Sequence, residues 1–311
     1  MRSRERGKVS FPLLLTVLSW GFNFVALKLL YAEGLTAAAM SLVRFVLMWL
    51  VLAGLCLTQG RFPWYPRGDV WRYLLLGMLS MGIYMILFLE GMTKTSPAEG
   101  AIILATSPIF TALLAVAFKQ DQFSWAALGG TVLAFIGVTM VILAGHHAGG
   151  GQIIGNLLVF ASAVVWAFCA VMTRTLVQKD TPLNVLTLSM PGALPLLIPY
   201  GLGASLAVDW ARMDWVGWLS LAHIVILAGV VGFIGFYVGV RQVGSAGAML
   251  YQFLIPPLAA FFAWLTLHDH LEVLQAVGLG VILVGVAWST RVRARGDLSR
   301  DSVLRQEQVA S

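Results

Sequence analysis

The sequence predicts an all-α integral membrane protein, with ten transmembrane helices forming two inverted five-helix repeats around a central cavity. Three observations predict it. The 311-residue chain is 59% hydrophobic and only 11% charged, with a mean hydropathy of +0.87, too apolar for a water-soluble domain of this size. Cutting it at its polar and Gly/Pro interruptions leaves ten apolar stretches, each near the ~20 residues that a ~30 Å hydrocarbon core requires. Features also recur at a nearly constant offset between the two halves, the mark of an internal repeat.

The stretches run, in order, over Phe11 to Tyr31, Thr36 to Thr58, Val70 to Met92, Ser96 to Phe118, Ser124 to Gly145, Ile153 to Leu176, Asn184 to Ala207, Trp215 to Val240, Ser245 to Leu267 and Glu272 to Thr290. The first, preceded by Arg2, Arg4, Arg6 and Lys8, resembles a signal peptide. It is nevertheless long enough to span, carries Asn23 and Lys28, and is followed by further spans, so it reads as a retained helix. The expected organisation is a cytoplasmic N-terminus over 1–10, a first repeat over 11–145, a second over 153–290, and a polar, disordered cytoplasmic tail over 291–311. Connections are short and leave no room for a soluble catalytic domain. The 32 glycines lie within apolar runs, as packing and bending positions of membrane helices do.

Sixteen Lys and Arg residues fall on one side of this topology, among them Arg72, Lys119, Arg174, Lys179 and Arg241, against Lys94 and Arg212 on the other. By the positive-inside rule both termini are cytoplasmic. The net charge of +6 comes from these orientation signals, so a nucleic-acid partner has no support. Cys56 and Cys169 sit singly in apolar runs and form neither a metal motif nor a disulfide framework.

Pro108 to Asp121 spans the same length as Pro256 to Asp269, and at that offset Gly130 meets Gly278 and Gly137 meets Gly285. Trp20 with Lys28 matches Trp166 with Arg174 at equal separation. An odd number of helices per repeat makes the second copy enter from the opposite side, giving a pseudo-two-fold axis in the membrane plane. Such repeats pack in two similar ways, one open to each side, with a substrate site near the midplane.

Trp20-Gly21-Phe22-Asn23-Phe24 resembles the W-G-x-N-F opening, and Leu42-Val43-Arg44-Phe45 the second-helix L-x-R-F, of the ten-helix EamA-type branch of the drug/metabolite transporter superfamily. The segments Pro108 to Asp121 and Pro256 to Asp269 resemble its Pro, small-and-apolar run, acidic pattern, with Gln120-Asp121 and His268-Asp269 where a Gly-Glu pair is usual. The resemblance covers nearly the whole chain apart from the tails. It implies a bacterial inner-membrane carrier exporting amino acids or related metabolites, similar among its members to the YddG-type exporters of aromatic and other neutral amino acids.

Trp20, Phe24 and Lys28 share one face of the first span, with Asn23 beside them, and Trp166 and Arg174 form the matching stripe on the sixth. The tryptophans and Asn23 are candidate cavity walls, against a plain packing role; an amide inside a span must find a partner away from lipid. Lys28 and Arg174 are either gating residues or cations snorkelling to headgroups. Arg44, deep in the second span, must face the interior and pair, with Glu90 as the expected partner and Lys28 at similar depth. Tyr84, Phe88, Phe236, Tyr237, Tyr251 and Gln252 are candidate lining for an amphipathic pocket, since an amino acid needs polar groups for its two charged ends and apolar volume for its side chain. Pro108, Pro256 and Pro257 are candidate hinges, or static bends.

Glu90 and Glu99 both lie near the outer boundary, which disfavours a proton relay and with it a proton-coupled multidrug or purine antiporter. His223 is the one histidine inside a span. A membrane-embedded enzyme would need a nucleophile with its base, an acidic pair or a metal cluster at depth. His146-His147 and His268-Asp269-His270 fall in loops instead, so no catalytic residue, metal or cofactor is expected. A receptor-like protein is disfavoured by the polar residues inside the first two spans. The expected partners are a small-molecule substrate and lipid, and the expected functional unit is a monomer.

Overall fold

The computed structural model describes residues 10–60, 62–66, 68–94, 103–144, 153–267, 273–274, 276–278, 280–289 and 291–292. The predicted N-terminal segment up to Val9, the tail beyond Val292, Glu99 and the loop histidines lie outside the described residues. All regular structure among the described residues is helical.

Pro12 starts α1 (Phe11–Ala32), near the first-turn position where its missing N–H costs nothing. The turn that follows needs Gly34 at φ 85°, and the Thr36 side chain caps α2 (Ala37–Thr58) by accepting from the Ala39 N–H at 3.2 Å. Next come α3 (Val70–Gly77), a π-helical stretch Met78–Ile83, and α4 (Tyr84–Lys94), together one apolar segment of 25 residues. α5 (Ser107–Ala117) and α6 (Trp125–Ala144) close the first half, and α7 (Ile153–Val177) opens the second. Thr181 caps α8 (Pro182–Ser189), which continues through a 3-10 turn Met190–Ala193 into α9 (Leu194–Leu206). Asp214 caps α10 (Trp215–Ala222) through the Gly217 N–H at 2.8 Å. A π-helical stretch His223–Val231, α11 (Gly232–Leu250), a 3-10 turn Tyr251–Leu254 and α12 (Ile255–Leu267) follow. The last helical stretch is Ala276–Ser289.

Six of these helical runs are long and apolar enough to cross a membrane. One of them, Trp215–Thr266, covers 52 residues, about twice what one crossing needs. It is interrupted at Gly244, where φ 82° and ψ 168° are values open essentially to glycine alone. Within the fourth predicted stretch, residues 103–104 are helical, a turn follows at 105–106, and α5 starts at Ser107. Pro108 belongs to the first turn of that helix, where proline starts rather than bends a helix. Pro256 and Pro257 likewise open α12, directly after the 3-10 turn. Proline cannot donate to the preceding turn, so in both halves the irregular backbone precedes the ring.

The halves interleave. α1 packs against α11 and α12, α2 against α9, and α4 and α5 against α7, so most close helix pairs join one half to the other. Two glycines set the tightest crossing. A Cβ on Gly77 would lie 1.6 Å from the Ser189 carbonyl oxygen, and one on Gly192 would lie 1.9 Å from that of Leu74. Large apolar side chains such as Leu50, Leu157, Leu202 and Val284 point outward and are more than 45% exposed, as lipid-facing residues are and as core residues of a soluble protein are not.

Candidate functional site

The centre of the bundle is a cluster of aromatic rings contributed by both halves. Trp20 of α1 and Trp166 of α7 meet edge to face at 5.8 Å between centroids. Phe236 of α11 lies 5.6 Å from the first and 5.1 Å from the second. Tyr84 of α4 stacks on Trp166 at 4.9 Å and on Phe88 at 5.9 Å, and Phe24 completes the row with its edge on Phe88 at 6.3 Å. Tyr237 adjoins Phe236 at 6.3 Å. Offset and edge-on pairs of this kind are the geometries that ring quadrupoles favour. Seven of the residues singled out from the sequence therefore converge.

Phe233 joins the cluster too, 5.4 Å from Trp20 and 5.9 Å from Trp166, although the sequence reading passed over it. Its spacing of i, i+3 with Phe236 was the available signal. Ser80 was also missed, because its position depends on the π-helical stretch.

Polar groups are set among the rings. The Trp20 indole donates to the Ala228 carbonyl at 2.8 Å, within the second π-helical stretch. The Trp166 indole donates to Gln252 Oε1 at 3.1 Å. Asn23 Oδ1 and Gln252 Nε2 are buried without a hydrogen-bond partner among the described residues, a costly condition that native structures keep rare, and the Tyr237 hydroxyl is buried beside those of Ser80, Thr173 and Ser189. Trp20, Phe24, Tyr84 and Gln252 retain partial exposure, whereas Trp166, Phe236 and Tyr237 are buried.

The expected trio of Arg44, Glu90 and Lys28 does not form. Arg44 is 7% exposed and directs Nη1 at Met85 Sδ, 4.0 Å away. Glu90 accepts from Lys94, one turn along α4, and from the Tyr200 hydroxyl. The reason is depth: Glu90 lies five residues beyond Met85, about 7.5 Å nearer the helix end, where its carboxylate keeps a third of its side-chain surface open. Lys28 is exposed.

Tyr251 departs from the cluster as well. Its hydroxyl accepts the Ser10 N–H at 3.1 Å, while the adjacent Gln252 turns to Trp166. The 3-10 turn rotates successive side chains by about 120° and so separates the two neighbours. Arg174 is ion-paired with Asp121 at 3.3 Å, and its guanidinium lies against Gly244. His223 meets the Ser19 carbonyl at 3.0 Å and sets its ring on Phe22 at 4.7 Å, a hydrogen-bonded packing arrangement.

A bundle of apolar spans around an aromatic and polar interior defines a multi-pass membrane protein. The sequence matches the EamA-like transporter family over residues 8–143 and 153–291, and the chain belongs to that family. It is 27% identical over 262 residues to the uncharacterized transporter YyaM of Bacillus subtilis, covering 83% of this chain and 82% of that one. It is 26% identical over 283 residues to a "probable terminal-alkyne amino-acid exporter" of Streptantibioticus cattleyicolor, covering 90% and 92%. It is 27% identical over 303 residues to a "probable amino-acid metabolite efflux pump" of Escherichia coli, covering 91% and 94%. A crystal structure with 17% sequence identity superposes with a TM-score of 0.75, covering 92% of this chain and 97% of that one. The family and these relatives are transporters, not enzymes.

Proposed function

We propose that this chain exports amino acids, aromatic and other neutral ones above all, and related metabolites across a bacterial inner membrane. The observation that carries the reading is the ring cluster at the meeting of the two halves, with the unpartnered amide atoms of Asn23 and Gln252 and the buried hydroxyls of Ser80 and Tyr237. Rings accept an apolar side chain; the amides and hydroxyls suit the charged ends of an amino acid. The names of two relatives point the same way.

The transport mechanism in this reading is alternating access between inverted five-helix repeats, ten spans in all, with both termini cytoplasmic. Dividing the 52-residue run at Gly244 supplies two spans from it. The sequence offset equates Gly130 with Gly278 and Gly137 with Gly285, and the folded chain packs Gly130 on Gly285 and Gly137 on Gly278. That reciprocity, residue i on j′ and j on i′, supports a two-fold relation between the halves. The π-helical stretches at Met78–Ile83 and His223–Val231, and the irregular turns before Pro108 and Pro256, recur at similar offsets. The family match falls into two ranges that divide the chain in the same place.

Counterflow of labelled phenylalanine, threonine, a purine and a quaternary-ammonium dye into liposomes, with and without a pH gradient, tests this. Saturable amino-acid exchange indifferent to the gradient, lost in Tyr84→Ala and Trp166→Ala, is expected. Dye flux alone, driven by the gradient, would replace the reading with a proton-coupled drug antiporter.

A further inference from the structure

Arg44 is the eighth residue of α2, about 10 Å along the helix from its start and so well inside the hydrocarbon region. It is 7% exposed, and among the described residues its one polar contact is a thioether, a weak acceptor. The acids among the described residues sit at the two ends of the bundle, engaged with cations or with amide and hydroxyl donors. The titratable groups that share Arg44's surroundings, Tyr84 and His223, are not acids. A guanidinium enclosed in a low-dielectric interior without a counter-charge is among the most unfavourable arrangements a fold can hold. Proteins retain such groups where function needs them.

Met85, which Arg44 meets, directly follows Tyr84 in α4, and that tyrosine stacks on Trp166 and Phe88, which brings Arg44 to the edge of the ring cluster. We propose that Arg44 is the carboxylate-binding residue of the transport site, supplying the anion's counter-charge while the substrate's side chain lies against the rings. The proposal rests on the amino-acid reading above and sharpens it. Guanidinium presents a planar fork of donors that matches a carboxylate, so selectivity falls on acids over their amides and amines. With no counter-charge to Arg44 among the described residues, bound substrate is expected to stabilise the fold and removal of the charge to relieve it.

Thermal unfolding of the detergent-purified protein with matched ligand pairs, phenylalanine against phenylalaninamide and lactate against lactamide, tests this directly. Carboxylates are expected to raise the midpoint and amides to leave it. Arg44→Gln is expected to weaken carboxylate binding roughly 10- to 100-fold, the range for a hydrogen bond to a charged group, and to melt, without ligand, at or above wild type. Arg44→Lys is expected to keep part of the effect. Equal response to acid and amide in wild type, or an Arg44→Gln protein that keeps the full preference for acid over amide, overturns the proposal. If Arg44→Gln does not fold, the acid-against-amide contrast in wild type decides alone. Stabilisation by lactate without any by phenylalanine keeps Arg44 as the carboxylate site and discards the amino-acid reading; no response to any carboxylate overturns both.

Discussion

The two ends of the bundle are built differently. At the end that holds Ser10, polar links cross nearly every junction: Ser10 to Gln242 and Tyr251, Lys179 to Asp69, Tyr73 to Asp180, Arg174 to Asp121, and Gln120 to both Val171 and Ser245. At the opposite end the described links between the halves are Tyr200 to Glu90 and the longer Asp214 to Glu33 bond, at 3.4 Å. Individually these exposed or half-exposed pairs are weak. Among the described residues, the links at the Ser10 end tie residues of the first half to residues on either side of the Gly244 break. In the alternating-access reading, these links close the Ser10 end.

The largest expected effect comes from the seam that both ends share. Gly77→Ala drives a methyl into the Ser189 carbonyl, and the backbones must separate, at a cost of about 1–3 kcal/mol or more. Thermal unfolding should show a clear loss of stability, while Gly54→Ala, with open space around its Cβ, should change little. Gly244→Ala comes next. Its left-handed φ costs an L-residue about 1–3 kcal/mol, and the new methyl would meet the Arg174 guanidinium at 3.2 Å. Transport rate should fall more than substrate affinity, since the break belongs to the linked Ser10 end rather than to the ring cluster; equal loss of both would remove Gly244 from the closure.

How much of this was legible beforehand follows from which physical signals are local. The limits of α1, α2 and α7 could be read from hydropathy length, because lipid demands an apolar span and Thr36 marks a start. Trp20, Tyr84 and Trp166 could be nominated because large aromatics at helical spacing define a face. What could not be read is pairing. Glu90 was matched to Arg44 by depth counting along straight helices, but it settled with Lys94, and the π-helical stretch at Met78–Ile83 changes how residues around it face their neighbours. Backbone irregularities of this kind arise from packing between helices and leave no periodicity in one strand of sequence. Tyr251 and Gln252 separate for the same reason.

A smaller effect separates the ends themselves. Asp121→Asn removes the charge facing Arg174, a pair with 21% and 28% of its side-chain surfaces open, so stability should drop by no more than about 1 kcal/mol. Accessibility is the sharper readout. Cys169 is buried between Trp166 and Arg174 along α7, and in a Cys56→Ser background its alkylation should speed up in Asp121→Asn and stay unchanged in Glu90→Gln. Equal acceleration by both would mean that the two ends are coupled rather than independently latched.

The smallest effect is a pH dependence confined to the Ser10 end. A hydrogen bond from Lys179 at 2.8 Å, reinforced by the Lys179 and Arg72 charges, holds the Asp69 carboxyl below the usual carboxylate range. Its folded pKa is thus lower than its unfolded one, so the added stability is fully present above the unfolded value of about 3.9 and is lost as pH falls through the folded value. Melting profiles of wild type and Asp69→Asn should therefore run parallel from neutral pH down to about 5 and converge only below about 4. Convergence at higher pH would place the sensitive group elsewhere and would detach Asp69 from the set of links that distinguishes this end of the bundle.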